Sequence, residues 1–371
     1  MVQTSAQLAT QATTLTIKVG SNVLTGADGK LNIARMTSLV AQIAQLNKKG
    51  HRVVLVSSGA MAAGRSMISG YQDLNPVAQR QLLASVGQVS LIDQYKELFD
   101  QHGLKIGQLL VTKQDLGSRL HYLNMKSCVE TLWQNGVIPV VNENDAVSLT
   151  GLMFTDNDEL SGLIASMMDC QRLIILSNID GIFDGDPKDP NTHVIREVAK
   201  GTTVAQYVQA TKSDFGRGGM VTKCRMAQKT AQAGIDVFIA NGATDNVITR
   251  LMANDPTLSR THFEAGSHSP AIKKWIAYSD GFATARVVVN KGAQEALLST
   301  EHVSSLLPVG VREFEGDFRK DDIILICTTE GKTIGVGRAA MDKETAVKQA
   351  FASKQKPLVH YDYLYIYPPI N

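Results

Sequence analysis

The 371-residue chain has few of the residues that build disulfides, metal sites or membrane spans. Its four cysteines lie far apart, which favours free thiols in a reducing cytoplasm over a disulfide framework or a zinc site. The eight histidines are also scattered, so they form no metal or nucleophile cluster. No apolar run approaches the ~20 residues that a membrane helix needs. The composition therefore predicts a cytoplasmic globular protein.

A strong excess of charge of either sign is also missing. The net charge is +2, with 19% charged and 44% hydrophobic residues, so there is no reason to expect a polyanion or a membrane surface as partner. The polar residues 1–13 lack a basic segment followed by an apolar run, and we predict an N-terminal extension there, not a signal peptide. The chain is long enough for two domains with cores of their own.

Residues 14–265 alternate short apolar runs with longer amphipathic segments. We predict buried strands at 15–19, 52–57, 106–112, 137–142, 173–177 and 235–240. Helical patterns lie between them, for example at 32–48, 77–99 and 119–134. Gly50, Gly136 and Gly234 stand where left-handed helix C-caps belong. The alternation predicts an α/β fold, a three-layer αβα sandwich with a largely parallel sheet.

The pattern changes after a turn-rich stretch, and we predict a linker at 266–280. Beyond it, short β-like runs occur at 286–289, 323–327 and 333–338, and alternation at 361–367 indicates a closing strand. These runs predict a small β-rich domain at 281–371.

Acidic and amide residues collect at two points of the larger domain. Asn-Glu-Asn-Asp at 142–145 follows a predicted strand, and Thr-Asp-Asn-Asp-Glu at 155–159 precedes a hydrophobic helix. In open α/β sheets, ligands bind at the carboxyl ends of the strands. A polar surface loop is the alternative, but the buried-looking strand before 142–145 favours a site for an ammonium group, a hydrated cation or both.

Turns with glycine supply candidate anion sites. Lys-Val-Gly-Ser at 18–21 and Ser-Ser-Gly-Ala at 57–60 follow predicted strands, and Gly-Gly-Met-Val-Thr-Lys at 218–223 begins a helical pattern. Backbone N–H groups at such turns suit phosphate or carboxylate oxygens. The segment 177–183 could lie against a nucleotide. For each of these segments an ordinary turn remains an alternative.

Two lysines at separate turns, with carboxylates between them in sequence, suit phosphoryl transfer, because cations balance the charge on the equatorial oxygens. No general base with an obvious partner stands out. This absence favours a carboxylate acceptor, which is already ionised at neutral pH, since the reference pKa of a glutamate side chain is about 4.3.

These motifs, in this order over nearly the whole chain, resemble the glutamate 5-kinase family of the amino acid kinase superfamily. Ser-Ser-Leu-Leu-Pro-Val-Gly at 304–310 and Gly-Asp-Phe at 316–318 are similar to the PUA domain of many bacterial members. The resemblance implies phosphorylation of L-glutamate by ATP with Mg²⁺, as the first step of proline biosynthesis. It also implies feedback inhibition by proline, a homo-oligomer (dimer or tetramer) and functional coupling to glutamyl phosphate reductase.

The resemblance assigns roles to residues of this sequence. Those implied for catalysis are Lys18, Lys223 and Asp158. Those implied for binding glutamate are Ser58, Asp145, Asn157, Asn142 and Asp156. Those implied for binding ATP are Lys18, Ser177, Asn178, Gly218, Gly219, Met220, Val221, Thr222 and Lys223. Asn178 stands where the family usually has Asp, and Glu159 where it commonly has a neutral amide.

Two other functions compete with this interpretation. One is another kinase of the superfamily, acting on acetylglutamate, aspartate or a nucleoside monophosphate; the appended β-rich domain and the 142–145 cluster favour free glutamate. The other is an RNA-binding module, since PUA domains occur in RNA-modifying proteins. Residues 284–371 contain eleven Lys plus Arg against eleven Asp plus Glu, a difference of zero, so we expect weak or no RNA affinity.

Overall fold

A computed structural model describes residues 12–117, 119–148, 153–154, 156–186, 189, 191–200, 220–267, 270–299 and 302–367. Within these ranges the larger part is built on an eight-stranded sheet. Its strands are β1 (Thr14–Val19), β2 (Arg52–Ser57), β3 (Lys105–Val111), β4 (Val137–Glu143), β5 (Arg172–Ser177), β6 (Glu197–Val198), β7 (Asp236–Asn241) and β8 (Thr261–Phe263). Its helices are α1 (Ser21–Leu24), α2 (Ile33–Lys48), α3 (Ala60–Arg65), α4 (Pro76–Asp100), α5 (Lys113–Gly117), α6 (Arg119–Gln134), α7 (Asn157–Met167), α8 (Met220–Gln232), α9 (Val247–Met252) and α10 (Ala271–Ala277), with a 3₁₀ turn at Tyr71–Asp73.

The strands follow the order β3-β4-β2-β1-β5-β7-β8-β6. The first six run parallel, β8 runs antiparallel to β7, and β6 pairs in parallel with β8. Each of the six strands predicted from apolar runs is found within one residue of its expected limits. The predicted left-handed glycines are also confirmed, with φ of 87° at Gly50, 70° at Gly136 and 90° at Gly234.

Both faces of the sheet are covered. Along β2, Val54 and Val56 pack into one apolar core, whereas Val53 and Leu55 pack into another. Because successive side chains of a strand point to opposite faces, the two cores lie on opposite sides of the sheet. Residues of α2 and α4 fill one core, and residues of α7 and α8 fill the other. The predicted three-layer αβα sandwich is confirmed.

The C-terminal part has a five-stranded sheet of its own, in the order β10-β9-β11-β12-β13. Its strands are β9 (Ala285–Val289), β10 (Val311–Gly316), β11 (Ile323–Cys327), β12 (Thr333–Arg338) and β13 (Leu364–Ile366). Its helices are α11 (Lys291–Leu298) and α12 (Lys343–Gln349), with 3₁₀ turns at Asp280–Phe282, Pro308–Gly310 and Tyr361–Tyr363. Val287, Ile324 and Ile326 lie at the centre of a separate core, which confirms the small β-rich domain.

Three details of this part differ from the sequence pattern or add to it. β10 was not predicted, because its sequence Val-Arg-Glu-Phe-Glu-Gly is charged and lies at the sheet edge. The closing strand is shorter than 361–367, since its first residues form a 3₁₀ turn. The predicted linker contains α10, whose Trp275 is buried and donates a hydrogen bond from Nε1 to the Leu116 carbonyl at 3.1 Å. The domain limits themselves remain predictions.

Candidate active site

The candidate site lies where neighbouring parallel strands end at one edge of the larger sheet. β4, β2, β1 and β5 are adjacent in that order. Lys18 lies near the end of β1, Ser58 follows β2, and Asn142 and Glu143 end β4. The helix α7 begins at Asn157 and packs next to β1. The sheet thereby collects residues that are far apart in sequence at the edge where α/β proteins bind ligands.

Lys18 and Lys223 bind the same carboxylate. The Lys18 Nζ lies 2.7 Å from Asp158 Oδ1, and the Lys223 Nζ lies 2.5 Å from Asp158 Oδ2. All three residues are buried, and the Asp158 side chain is only 1% exposed. Two ammonium groups share one carboxylate in a site with little access to water, and the charge of Asp156 also acts on both of them. Such a site can accept a further anion, for example a phosphoryl group.

The electrostatics of this trio follow from burial and proximity. Burial alone would raise the pKa of the Asp158 carboxyl, but Lys18 and Lys223 outweigh it and hold that pKa well below its usual range. Burial lowers the pKa of the Lys18 amine; Asp158 opposes this effect and Lys223 adds to it, so the net pKa is below its ordinary value. A bound anion would favour the charged form of Lys18.

Asp156 caps the helix that carries Asp158. Its Oδ1 accepts hydrogen bonds from the backbone N–H groups of Asp158 at 2.9 Å and Glu159 at 3.1 Å, which holds the start of α7 in place. Its Oδ2 is buried and has no hydrogen-bond partner among the described residues. Burial, and then the Asp158 charge, raise the pKa of Asp156 to about 6. This second oxygen is available to a cation or to a donor on a ligand.

A neutral amide network joins the ends of β2 and β4 to the start of α7. The Asn157 Nδ2 has three acceptors within hydrogen-bonding distance, the Ser57 carbonyl at 3.0 Å, Ser58 Oγ at 2.7 Å and Asn142 Oδ1 at 3.0 Å, which share its two N–H groups. The Asn142 Nδ2 in turn donates to Gln88 Oε1 at 2.8 Å. Three of the residues expected to bind substrate are therefore in direct contact, since Asn157 is hydrogen-bonded to both Ser58 and Asn142.

Carboxylates crowd the other side of this network. Burial, and then the nearby Asp145 charge, raise the pKa of Glu143 to about 7, although its Oε1 accepts a hydrogen bond from the Phe154 N–H at 3.1 Å. Glu143 and Asp145 line a cleft of about 220 Å³ whose apolar wall includes Ala84 and Ile92. A cationic group such as an ammonium suits this crowding, because it would relieve the repulsion between like charges.

The structure describes only some of the residues that are expected to bind nucleotide. Ser177 ends β5, and its Oγ donates to Oδ1 of the exposed Asn178 at 3.4 Å. Met220 and Thr222 stand in the first turn of α8, which carries Lys223. Gly218 and Gly219 lie outside the described residues, and so does the side chain of Val221. Within residues 218–223, Lys223 reaches the candidate site through its contact with Asp158.

The glycines at two of the three predicted anion turns behave differently. Gly20 donates its N–H to the Leu176 carbonyl of β5 at 3.1 Å, so this group is engaged in the sheet and is not free for a phosphate oxygen. Gly59, after Ser58, has φ of 104°, a conformation that L side chains avoid. The turn that places Ser58 therefore requires glycine.

Two contacts at the site carried no clear sequence signal. Gln88 lies in the long helix α4, and nothing around it in sequence marks it as a partner of Asn142. Lys113 pairs with Glu159 at 2.7 Å, directly beside Asp158. The unusual acidic residue at 159 was the one hint of this ion pair, since a buried carboxylate needs a partner.

Within the described ranges, no group of three His, Cys, Asp or Glu side chains is arranged to hold a metal ion. The helices found in the same ranges are too short or too polar to cross a membrane.

A largely parallel sheet with two buried lysines on one carboxylate at its ligand edge defines a class of small-molecule kinase. The chain belongs to the amino acid kinase family: residues 13–241 match the Amino acid kinase family, and residues 285–352 match the PUA domain. Carbamate kinase from Giardia lamblia, bound to AMP-PNP, shares the fold with a TM-score of 0.51 at 18% identity, over 69% of this chain and 99% of that one.

Relatives named Glutamate 5-kinase match this chain over nearly its whole length. The one from Bacteroides thetaiotaomicron is 52% identical over 355 residues, which cover 95% of this chain and 98% of the relative. The one from Chlorobaculum tepidum is 47% identical over 355 residues, covering 95% and 97%. The resemblance inferred from the motifs is confirmed.

Proposed function

We propose that this chain transfers the γ-phosphoryl group of ATP to the side-chain carboxylate of L-glutamate, giving ADP and L-glutamyl 5-phosphate, the first step of proline biosynthesis. The observation that carries the proposal is the shared contact of Lys18 and Lys223 with Asp158. It occurs in a member of the amino acid kinase family that is 52% identical to a protein named Glutamate 5-kinase.

In this reaction the two lysines neutralise the charge on the migrating phosphoryl group. Asp158 orients both ammonium groups and keeps them from separating before the substrates bind. No general base is required, because the acceptor carboxylate is already ionised near neutral pH. As a phosphate enters, its oxygens compete for the ammonium protons that Asp158 holds. Catalysis then depends on positioning and charge balance more than on proton transfer.

The acidic side of the site would hold the amino acid. Asp145, which lines the cleft together with Glu143, would pair with the substrate ammonium group. Asn142, Asn157 and Ser58 would orient the rest of glutamate, since their hydrogen-bonded network borders the same strand ends. Ser177, Asn178 and residues 218–223 would border the nucleotide.

Mg²⁺ would enter as a partner of the ATP phosphates. The described residues contain no ready-made metal cage, and this suits an ion that keeps several waters and takes one or two carboxylates from the protein. The buried, unpartnered Oδ2 of Asp156 fits that limited demand and is the protein ligand we assign to it. When bound, the ion would neutralise charge on the β- and γ-phosphate oxygens.

Further features follow from the proposed activity and the family resemblance. We infer a homo-oligomer, feedback inhibition by proline and a cytoplasmic location. An acyl phosphate is labile, so the product would be captured by the next enzyme, glutamyl phosphate reductase. The C-terminal domain is expected to bind RNA weakly or not at all, because its positive and negative charges balance.

The deciding experiment measures glutamate-dependent ADP formation by the full-length protein, with hydroxylamine present to trap the acyl phosphate as a hydroxamate. We expect turnover and hydroxamate with L-glutamate and ATP. Aspartate, acetylglutamate and uridine monophosphate serve as parallel acceptors. Preference for one of these, or ADP formation without any hydroxamate, would contradict the proposal.

A further inference from the structure

A second charged cluster lies one residue beyond Asp158 and away from the proposed substrate contacts. It consists of Lys113, Glu159, Lys229 and Asp280, which we call the seam cluster. The Lys113 Nζ lies 2.7 Å from Glu159 Oε1, and the Lys229 Nζ lies 4.0 Å from Asp280 Oδ2. The side chains of Lys113, Glu159 and Lys229 are only 14%, 10% and 11% exposed. These three charges are therefore largely removed from water.

The four charges interact as one set. Burial lowers the pKa of Lys229. The charges of Asp280 and then Glu159 oppose this effect, and the charge of Lys113 adds to it. The Lys113 side chain also packs on the turn that contains Asp280. It lies so close to Gly281 of that turn that a Cβ atom added there would be only 2.6 Å from Lys113 Cε. With two positive and two negative members, the set is electrically balanced.

The seam cluster joins the two helices that carry the candidate catalytic residues. Glu159 follows Asp158 on α7, and Lys229 lies six positions after Lys223 on α8, a distance of about 9 Å along a helix. The turn that supplies Asp280 leads directly into the C-terminal sheet. A shift of this turn would therefore act on both helices.

Neighbouring contacts tie the same stretch of α8 to the segment before that sheet and to the sheet itself. The Tyr278 and Thr230 hydroxyls are 2.7 Å apart, and the Tyr365 hydroxyl donates to Gln232 Oε1 at 3.2 Å. The Lys229 Nζ lies 4.4 Å from the centre of the Tyr278 ring. Tyr365 belongs to β13 of the C-terminal sheet. The far half of α8 is thus held by that sheet and the turn before it, while its near half presents Lys223.

Resting on the proposed function, we propose that the seam cluster positions α8 against α7, so that Lys223 meets Asp158 in the geometry needed for phosphoryl transfer. Its four residues do not touch the reacting atoms and act through Asp158 and Lys223. Buried ion pairs contribute little net stability compared with apolar residues of similar size, and their best-attested use is to specify the register of packed elements. A balanced set at the junction of three elements suits that role.

The test uses full-length Lys229→Met and Asp280→Asn variants. Each should lower kcat by roughly 10-fold, because small displacements of catalytic groups are costly, while KM for ATP and glutamate stays unchanged. The charge-swapped double variant, Lys229→Glu with Asp280→Lys, should recover part of the loss. As a matched control, Lys348→Met removes an ion pair with Glu344 on α12, whose side chains are 76% and 87% exposed, and should leave kcat unchanged.

A second measurement needs no substrate. Native protein is treated briefly with acetic anhydride, and acetylation of Lys223 is quantified by mass spectrometry relative to Lys96, whose side chain is 63% exposed. Lys223 should be protected in the unmodified chain and labelled several-fold faster in both variants. Asp280 is the most exposed member of the cluster. Its substitution should disturb folding least, so Asp280→Asn still tests the proposal if Lys229→Met fails to fold.

Unchanged Lys223 labelling together with unchanged kcat in the folded variants would overturn the positioning role, even if their melting temperatures fell. If the unmodified protein shows no glutamate-dependent turnover, the proposed function fails, and the labelling experiment still decides whether the seam cluster holds Lys223 in place.

Discussion

The two sides of the candidate site differ in the sign of the charged groups that they bring together. On one side, Lys18 and Lys223 surround a single buried carboxylate, Asp158. On the other, Glu143 lies near Asp145, and its pKa rises to about 7 because burial and the Asp145 charge outweigh the opposing effect of Arg80. The first side brings two ammonium groups together, and the second has repulsion between two carboxylates. The first is therefore suited to an added anion and the second to an added cation.

This difference explains how one site could bind a substrate that carries both charges. In the proposed function, an amino acid with a side-chain carboxylate would bring its ammonium group to the acidic side. Its phosphoryl-accepting oxygens would then face the cationic side, where the ATP phosphates would also lie. The neutral network of Asn142, Asn157 and Ser58 adds no charge to either side.

The largest effect is expected from the cationic side. Lys18→Ala and Lys223→Ala should each lower kcat by on the order of 10²–10³, the usual cost of losing a preorganised electrostatic contact. The coupled ADP assay measures this directly. Lys96→Ala, which removes an exposed lysine 3.2 Å from Asp100, is the control. A loss of less than tenfold in kcat for both active-site variants would contradict the assigned roles.

The acidic side should respond in KM. Asp145→Asn should raise KM for glutamate by about 10–100-fold, as expected for a lost charge-assisted hydrogen bond, with little change in KM for ATP. Steady-state kinetics with each substrate varied in turn would separate the two. If KM for ATP alone increased, the division of the site into two sides would be wrong.

The raised pKa of Glu143 predicts a dependence of stability on pH. In the unfolded chain the pKa of this carboxyl lies near its ordinary value of 4.5, whereas in the folded protein it lies near 7. The ionised form therefore destabilises the fold increasingly as pH rises between these values. Glu143→Gln should raise the free energy of unfolding by about 2 kcal/mol above pH 7, allowing for partial screening.

The same substitution should have no such benefit at pH 4.5, because Glu143 is then protonated in the folded protein. Denaturant unfolding without ligands, at pH 4.5 and pH 8, measures the difference. Glutamine can still accept the hydrogen bond from the Phe154 N–H. An equal effect at both pH values would show that the Glu143 charge is not the cause.

The smallest effect is expected at Asn178, which is exposed at the end of β5. Asn178→Asp restores the residue common in the family and should lower KM for ATP by less than about fivefold, because exposed polar contacts contribute little. Kinetics at several ATP concentrations would detect this. A much larger change would mean that Asn178 is buried by the bound nucleotide.

The order of elements was predictable because its signals are local. Apolar runs such as 52–57 and 173–177 mark strands buried on both faces, and Gly136 marks a helix end that needs a positive φ. The ligand edge followed from polar residues placed directly after those strands. Local pattern failed at β10, whose charged residues lie on a sheet edge that water reaches.

Contacts between distant elements were not predictable from pattern. The pairing of Gln88 with Asn142, and of Lys113 with Glu159, depends on how α4 and α5 pack against the strand ends. Nothing in the neighbouring sequence encodes which of several polar side chains on a helix will face a given strand. The resemblance to a kinase family named Lys18, Lys223 and Asp158, and the structure supplied their distances.

The sequence by itself determined the class of fold, the edge of the sheet where the candidate site lies and the kinds of charge gathered there, because periodicity, turn residues and charge are properties of short segments. Tertiary structure alone decided that Lys18 and Lys223 meet on one carboxylate, that Glu143 is buried enough to shift its pKa, and that the seam cluster joins α7 to α8. Burial and distance arise only when remote segments pack together, and they convert ordinary charged residues into a site.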